Sequence, residues 1–161
     1  MDAEITYRWM GHEDGMGLLR LHRRAILLEG MRAYAPDIAR SWAYGLNPAG
    51  YAGAAANGEA IEVAEMHGAV IGFCGTKHDE IKGLYVDPAF ARRGVGAGLL
   101  KRALGRLRAE GHERVRVSAA LSGAPFYEAM GFAPIRHRLH RTRGGADMRV
   151  IEMERAEPAC A

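Results

Sequence analysis

Apolar residues recur along this chain with two periods. From Gly94 to Glu110, Val95, Leu99, Leu100, Ala103, Leu104 and Leu107 fall on one helical stripe, and Lys101, Arg102, Arg106 and Arg108 take the remaining surface. From Glu13 to Glu29, Leu18, Leu21, Ala25 and Leu28 repeat at helical spacing with Leu19 and Ile26 beside them, and His22, Arg23 and Arg24 fall on the solvent flank. A shorter helix over Tyr34 to Leu46 is entered at Pro36, carries Ile38 and Trp42 four residues apart, and is broken at Asn47-Pro48. The small, glycine-rich residues 49–58 read as a loop. A period of two marks the strands: Ile5 to Met10, Ala60 to Glu65, Ala69 to Cys74 and Ile81 to Val86. His67-Gly68 is a tight turn between the second and third of these. Leu84 and Val86 face one side of the fourth strand and Tyr85 the other.

Beyond the long helix, Arg114 to Ser118 alternates Arg and Val, which gives a strand with one buried face. Ser122 stands where it would cap a short helix from Gly123 to Met130, closed by Gly131. Phe132 to His140 and Met148 to Met153 then form a terminal hairpin. The strand–helix–strand unit over residues 81–118 predicts a parallel pair with a crossover helix.

Composition narrows the class. A chain of 161 residues suits a single domain, with its core over about residues 3–155. No apolar run approaches the roughly 18 residues that span a bilayer, and the acidic start at Asp2 and Glu4 does not resemble a secretory signal. Two cysteines, Cys74 and Cys160, make neither a disulfide framework nor a metal site, so a cytoplasmic, metal-free protein is the expectation. Charge is uneven. Residues 1–91 hold 8 Lys/Arg and 12 Asp/Glu, a balance of −4, whereas residues 92–161 hold 14 and 7, a balance of +7. The basic part begins at the loop that precedes the long helix.

That loop carries the candidate chemistry. Leu84 to Gly98, LYVDPAFARRGVGAG, runs from a strand through Asp87-Pro88 to a glycine-spaced helix start. Such a start leaves main-chain N–H groups unpaired beside the positive end of the helix dipole, and glycines let an anion approach, which makes a phosphate cradle. Gly94, Gly96 and Gly98 give G-x-G-x-G rather than the dinucleotide pattern G-x-G-x-x-G, and no Gly-Lys-Ser/Thr follows as in a Walker loop. Ala91-Arg92-Arg93-Gly94-Val95-Gly96-Ala97 resembles the pyrophosphate motif of the GNAT N-acetyltransferases, Gln/Arg-x-x-Gly-x-Gly/Ala. Phe126-Tyr127-Glu128-Ala129-Met130-Gly131-Phe132 resembles that family's FYxxxGF signature. The resemblance is strongest over residues 60–133. Ala91 departs from the motif's Gln/Arg, and Ser122 stands where many members have Asn.

The resemblance implies an α+β fold, a central mixed sheet of about seven strands with about four helices on both faces. It also implies an enzyme that moves an acetyl group from acetyl-CoA to a primary amine by direct attack in a ternary complex. Leu84, Tyr85 and Val86 would pair with the pantetheine arm and supply an oxyanion donor. Arg92, Arg93, Gly94, Val95, Gly96 and Ala97 would hold the diphosphate, with Ser122 near the cofactor arm. Tyr127 matches the tyrosine that protonates the departing thiolate. Glu80 sits where many members hold the base that frees the amine, with His78 and Asp79 as weaker alternatives.

Tyr34 and Trp42 are candidates for the acceptor pocket, although a lone Trp at helical spacing is more often simply buried. Phe126 and Cys74 read as packing residues. The run Arg136, Arg138, His140, Arg141 and Arg143 suits an acidic acceptor or a solvated hairpin; without interleaved aromatic residues it does not read as a nucleic-acid surface. A non-catalytic acyl-CoA sensor is the alternative function. A homodimer through the terminal strands is compatible with the pattern, and no membrane partner is expected.

Overall fold

The alternating positions form seven strands in a computed structural model that describes residues 4–157; Asp2 and Cys160 lie outside the described residues. The strands are β1 (Thr6–Trp9), β2 (Ala60–Met66), β3 (Ala69–Lys77), β4 (Glu80–Val86), β5 (Arg114–Ala120), β6 (Ala133–Arg141) and β7 (Asp147–Ala156). The helices are α1 (Gly15–Gly30), α2 (Pro36–Ala43), α3 (Ala49–Ala56), α4 (Val95–Ala109) and α5 (Ala124–Ala129). None of the helices among the described residues is long and apolar enough to cross a membrane.

One sheet holds all seven strands in the order β1-β2-β3-β4-β5-β7-β6. Every neighbouring pair is antiparallel except β4 and β5, the parallel pair expected from the crossover helix α4. The six stripe residues of α4 are all buried, packed with Ile71, Cys74, Ile81 and the valines of β5 on one face of the sheet. On the other face, Leu18 and Leu21 of α1 and Tyr51 of α3 cover Ile61, Val63 and Phe73.

Three expectations need correction here. Residues 49–58 are not a loop: α3 spans Ala49–Ala56 and ends at Asn57-Gly58, where Gly58 has φ 97. Alanine is the strongest helix former, and burial of Tyr51 anchors the turn onto the sheet, which outweighs the glycines. His22 is not on the solvent flank but 8% exposed, whereas Leu28 is 56% exposed. The helical face of α1 is therefore rotated toward His22 from the stripe that hydrophobicity alone selects. Ser122 does not cap α5; Gly123 holds that position, and no side chain bonds the first turn.

Two irregularities shape the centre. Gly75 pairs with Gly83 and Thr76 with Ile81, so Lys82 is an extra residue on β4. This bulge lets Ile81 join the same buried cluster as Leu84 and Val86 while Tyr85 faces α1. Second, β4 and β5 pair only at Glu80–Arg116 and Ile81–Val117. Beyond Ile81 the two strands part, and the β5-facing edge of β4 is left without a strand partner.

The far side of the sheet is fastened by a buried carboxylate. Glu62 is 3% exposed on β2, and Arg102 and Arg106 of α4 donate to it at 2.9 and 2.7 Å. The same guanidinium groups lie over the rings of Tyr7 and Trp9 at 4.9 and 4.8 Å, so helix, β2 and edge strand β1 share one contact. Only Glu62 is fully desolvated; the Arg102 side chain is 49% and the Arg106 side chain 23% exposed, so removing the carboxylate loses charge-assisted hydrogen bonds but leaves guanidinium groups that water can partly reach. Glu62→Ala is expected to destabilise the fold by about 2 kcal/mol and to lower the thermal midpoint by roughly 6 °C; a loss under about 0.5 kcal/mol would mean that water already screens the pair.

Candidate active site

The strand β4 ends at Val86, and the chain turns at Asp87. The Asp87 carboxylate accepts from the Ala89 N–H at 3.0 Å and meets the Arg24 guanidinium at 3.3 Å, which fixes the turn Pro88–Phe90. The loop then places Arg92 at φ 63 and Gly94 at φ 78, both in the left-handed region, before α4 begins at Val95. Glycine at 94 takes that conformation without strain. None of the six main-chain N–H groups from Arg92 to Ala97 has a hydrogen-bond partner among the described residues. Unpartnered donors at the positive end of a 15-residue helix are the kind of feature that suits an anion. The side chains divide: Arg92 lines the groove beside the loop, whereas Arg93 lies over the Phe90 ring at 5.4 Å and does not.

From this cradle a groove of about 1410 Å³ runs between the parted strands. Leu84, Tyr85 and Val86 form one wall, Val117 to Ala120 the other, and Gly94 to Ala97, Ser122 and Phe126 lie along it. The open edge of β4 offers main-chain donors and acceptors to an extended ligand, much as an added strand would pair. Tyr127 also lines the groove. Its ring is 6% exposed and packed against Phe126 and Phe132 at 5.3 and 5.4 Å, and its hydroxyl makes no hydrogen bond to the described residues. Burial, then the neighbouring Cys74 and Tyr85, raise its pKa well above the phenol's ordinary value, so it stays protonated and able to donate.

The four acidic or thiol candidates separate by environment. Glu80 lines the groove with Lys82 Nζ at 3.8 Å and an Arg116 nitrogen at 4.0 Å. Asp79 is held by two bonds from Arg116, at 3.0 and 2.9 Å, which lower its pKa and occupy it as an ion-pair partner. Cys74 is fully buried, and burial pushes its thiol up to about 12, which agrees with a packing role. Glu59, just ahead of β2, was not singled out by sequence. It lines the groove, and desolvation raises its carboxyl above the ordinary range against the pull of Lys82 and Lys77. Its side chain lies where a Cβ on Gly75 would stand, so that glycine makes room for the carboxylate.

At the end of the groove beyond Tyr85 the rings gather. His22 lies 4.1 Å from the Tyr85 ring and 5.3 Å from Phe73, and the Tyr51 hydroxyl is 2.9 Å from His22 Nδ1. Trp42 completes the wall at 6.3 Å from Tyr85. Tyr34, paired with Trp42 by sequence, is not among the groove-lining residues. Its hydroxyl donates to the Arg149 carbonyl and accepts from Leu121 N–H at 2.8 Å, and so it ties the turn after α1 to β7 and to the β5–α5 connection.

The sequence model described as the acetyltransferase (GNAT) domain matches residues 32–155, more than half of the chain. The chain belongs to the GNAT family. Its enzyme class is accordingly an acetyl-CoA-dependent acyltransferase. The uncharacterized N-acetyltransferase YafP of Escherichia coli strain K12 is 26% identical over 131 residues, which cover 81% of this chain and 83% of that protein. Among solved structures, a GCN5-related N-acetyltransferase from Rhodopseudomonas palustris superposes with a TM-score of 0.90 at 21% identity, covering 98% of this chain and 99% of that one. The PaiA N-acetyltransferase of Thermoplasma acidophilum, solved with coenzyme A, gives 0.75 at 20% identity over 96% and 99%. Both likenesses establish the GNAT fold.

Within this GNAT chain, His22, Tyr51 and Glu59 escaped sequence reasoning because the sequence pattern puts His22 on the solvent flank of its helix, Tyr51 in a loop, and Glu59 between that loop and the second strand. The signal that was available is the pair Gly75 and Gly83, facing each other across β3 and β4 and clearing space on the α1 side of the sheet. Burial, and then the charge of Arg143, push the pKa of His22 down to about 3. The unfolded chain therefore takes up a proton below the ordinary value of 6.5 that the folded chain refuses until about 3, so stability falls as pH drops through that window. A loss of about 2 kcal/mol between pH 7 and pH 5 follows from this one group. In His22→Gln the same interval is expected to be nearly flat, measured by urea unfolding at each pH.

Proposed function

We propose that this enzyme is an N-acetyltransferase that carries the acetyl group of acetyl-CoA to a primary amine by direct attack, with both substrates bound together. The observation that carries the reading is continuity: six unpartnered N–H groups at the start of α4 open into the unpaired edge of β4, and that groove contains the unbonded hydroxyl of Tyr127. Arg92 to Ala97 would hold the diphosphate and Leu84 to Val86 the pantetheine arm, with Ser122 beside it. The same β4 amides would donate to the carbonyl oxygen as it gains charge. Relatives solved with coenzyme A or acetyl-CoA support this cosubstrate.

The amine nitrogen attacks the thioester carbonyl carbon, the C–S bond breaks, the amine gives up a proton and the thiolate takes one. Tyr127 is the donor to the thiolate, since its raised pKa keeps the phenol proton in place until sulfur develops charge. Two carboxylates compete for the amine proton. Glu80 is the residue the family pattern suggests, but two cations already engage it. Glu59 is the better base, because it lines the groove with no ion-pair partner among the described residues and desolvation raises its carboxyl.

Thiol release with acetyl-CoA over a panel of amines tests the assignment. Tyr127→Phe is expected to lower kcat about 100-fold with the KM for acetyl-CoA unchanged. Glu59→Gln is expected to lower kcat by a similar order and to remove the rise of rate with pH, while Glu80→Gln stays within about threefold of wild type. The reverse order for the two glutamates restores Glu80 as the base. Coenzyme A binding with no release on any amine identifies a sensor instead.

A further inference from the structure

The acceptor end of the groove contains a cation that nothing in the fold uses. Six Lys/Arg side chains line the groove: Arg32, Lys82, Arg92, Arg138, Arg141 and Arg143. Arg32 meets Glu29, Lys82 meets Glu80, Arg138 meets Glu152 and Arg141 meets Asp147, at 3.2, 3.8, 2.8 and 3.0 Å. Arg92 belongs to the diphosphate loop. Arg143 alone remains, with no carboxylate within ion-pair distance among the described residues.

Arg143 is exposed, but the main chain on either side of it is fastened. Thr142 on one side is 4% exposed, with its Oγ1 2.6 Å from Ser41 Oγ and its N–H donating to Ala146 O at 2.8 Å. On the other side Gly144 N–H donates to Ser41 O at 3.1 Å, and Ala146 N–H donates to Thr142 Oγ1 at 3.0 Å. The hairpin turn between β6 and β7 is thus fastened to α2 on both sides of Arg143. The shaft of Arg143 passes the α2–α3 connection, its Cδ 3.5 Å from where a Cβ on Gly45 would stand. Its charge reaches His22, Tyr51 and Tyr85: burial and then Arg143 push the imidazole down, whereas burial raises both phenols to about 12 against the pull of Arg143.

We infer that the acceptor is a small amine that also carries a carboxylate and an apolar body: the carboxylate lies on Arg143, the body against Tyr51, Tyr85 and Trp42, and the amine toward Glu59. This rests on the acetyl-transfer reading above. A guanidinium presents paired N–H donors that match a carboxylate, and a guanidinium without an internal partner loses none by binding one. The three parts of the pocket correspond to the three parts of an α-amino acid with an apolar side chain. A peptide or protein N-terminus does not match, because its first carbonyl is an uncharged amide.

The test compares amino acids that have apolar side chains with their amides and decarboxylated amines, for example phenylalanine, phenylalaninamide and phenethylamine. Wild type is expected to favour the acid by about tenfold or more in kcat/KM, mainly through KM. Arg143→Gln is expected to lose about tenfold on the acid, to leave the amide and the KM for acetyl-CoA unchanged, and Arg143→Lys to recover part of the loss. Equal or better rates on the amide in wild type, an unaltered preference in Arg143→Gln, or no acetylation of any member each overturns the inference. Calorimetry with coenzyme A separates the two levels. Binding without acetylation of this panel defeats the acceptor assignment alone, and absence of binding defeats the transferase reading beneath it.

Discussion

The parting of β4 from β5 after two residue pairs is the constraint on which the site depends. A parallel strand that kept its ladder would consume the main-chain groups of Leu84 to Val86 and close the sheet. Because the ladder stops at Ile81, those groups face a groove, and the chain that leaves β4 must turn through Asp87 to start α4 beside it. The unpaired amides of the loop and the unpaired edge of the strand are consecutive in sequence, so one extended ligand reads both.

The two faces of the sheet serve different ends. On the α4 face the stripe from Val95 to Leu107 supplies most of the buried hydrocarbon, and the Glu62–Arg102–Arg106 cluster holds helix and edge strand together. On the α1 face the core is aromatic and partly polar, with His22 and Tyr51 paired within it. It stops short of filling the space beside Tyr85, and the remaining volume is the aromatic end of the groove.

What could be read in the sequence follows from what sequence patterns record. The α4 stripe, the alternation in β5 and the opposite facing of Tyr85 from Leu84 and Val86 are local periodicities tied to burial, and the structure reproduces them. The glycine-spaced loop was legible because its chemistry is main-chain chemistry and needs only short residues and a helix. The aromatic end was legible only through Trp42, because its other residues come from α1, α3, the α3–β2 connection and the β6–β7 turn, and only the tertiary fold brings them together. His22 read as polar and therefore wet, whereas a hydroxyl from Tyr51, 29 residues away, satisfies it. Arg143 read as one arginine of a basic run. Its neighbours differ from it only because Glu152 and Asp147 stand across the hairpin from them.

The central assertion is that main-chain N–H groups, rather than the surrounding arginine side chains, grip the cosubstrate. Amide proton and nitrogen shifts followed by NMR as coenzyme A is added address it directly. The six amides of Arg92 to Ala97 are predicted to move most, and pantetheine, which lacks the diphosphate, to move β4 amides while leaving those six in place. Saturable binding of coenzyme A with the six amides unmoved would contradict the account.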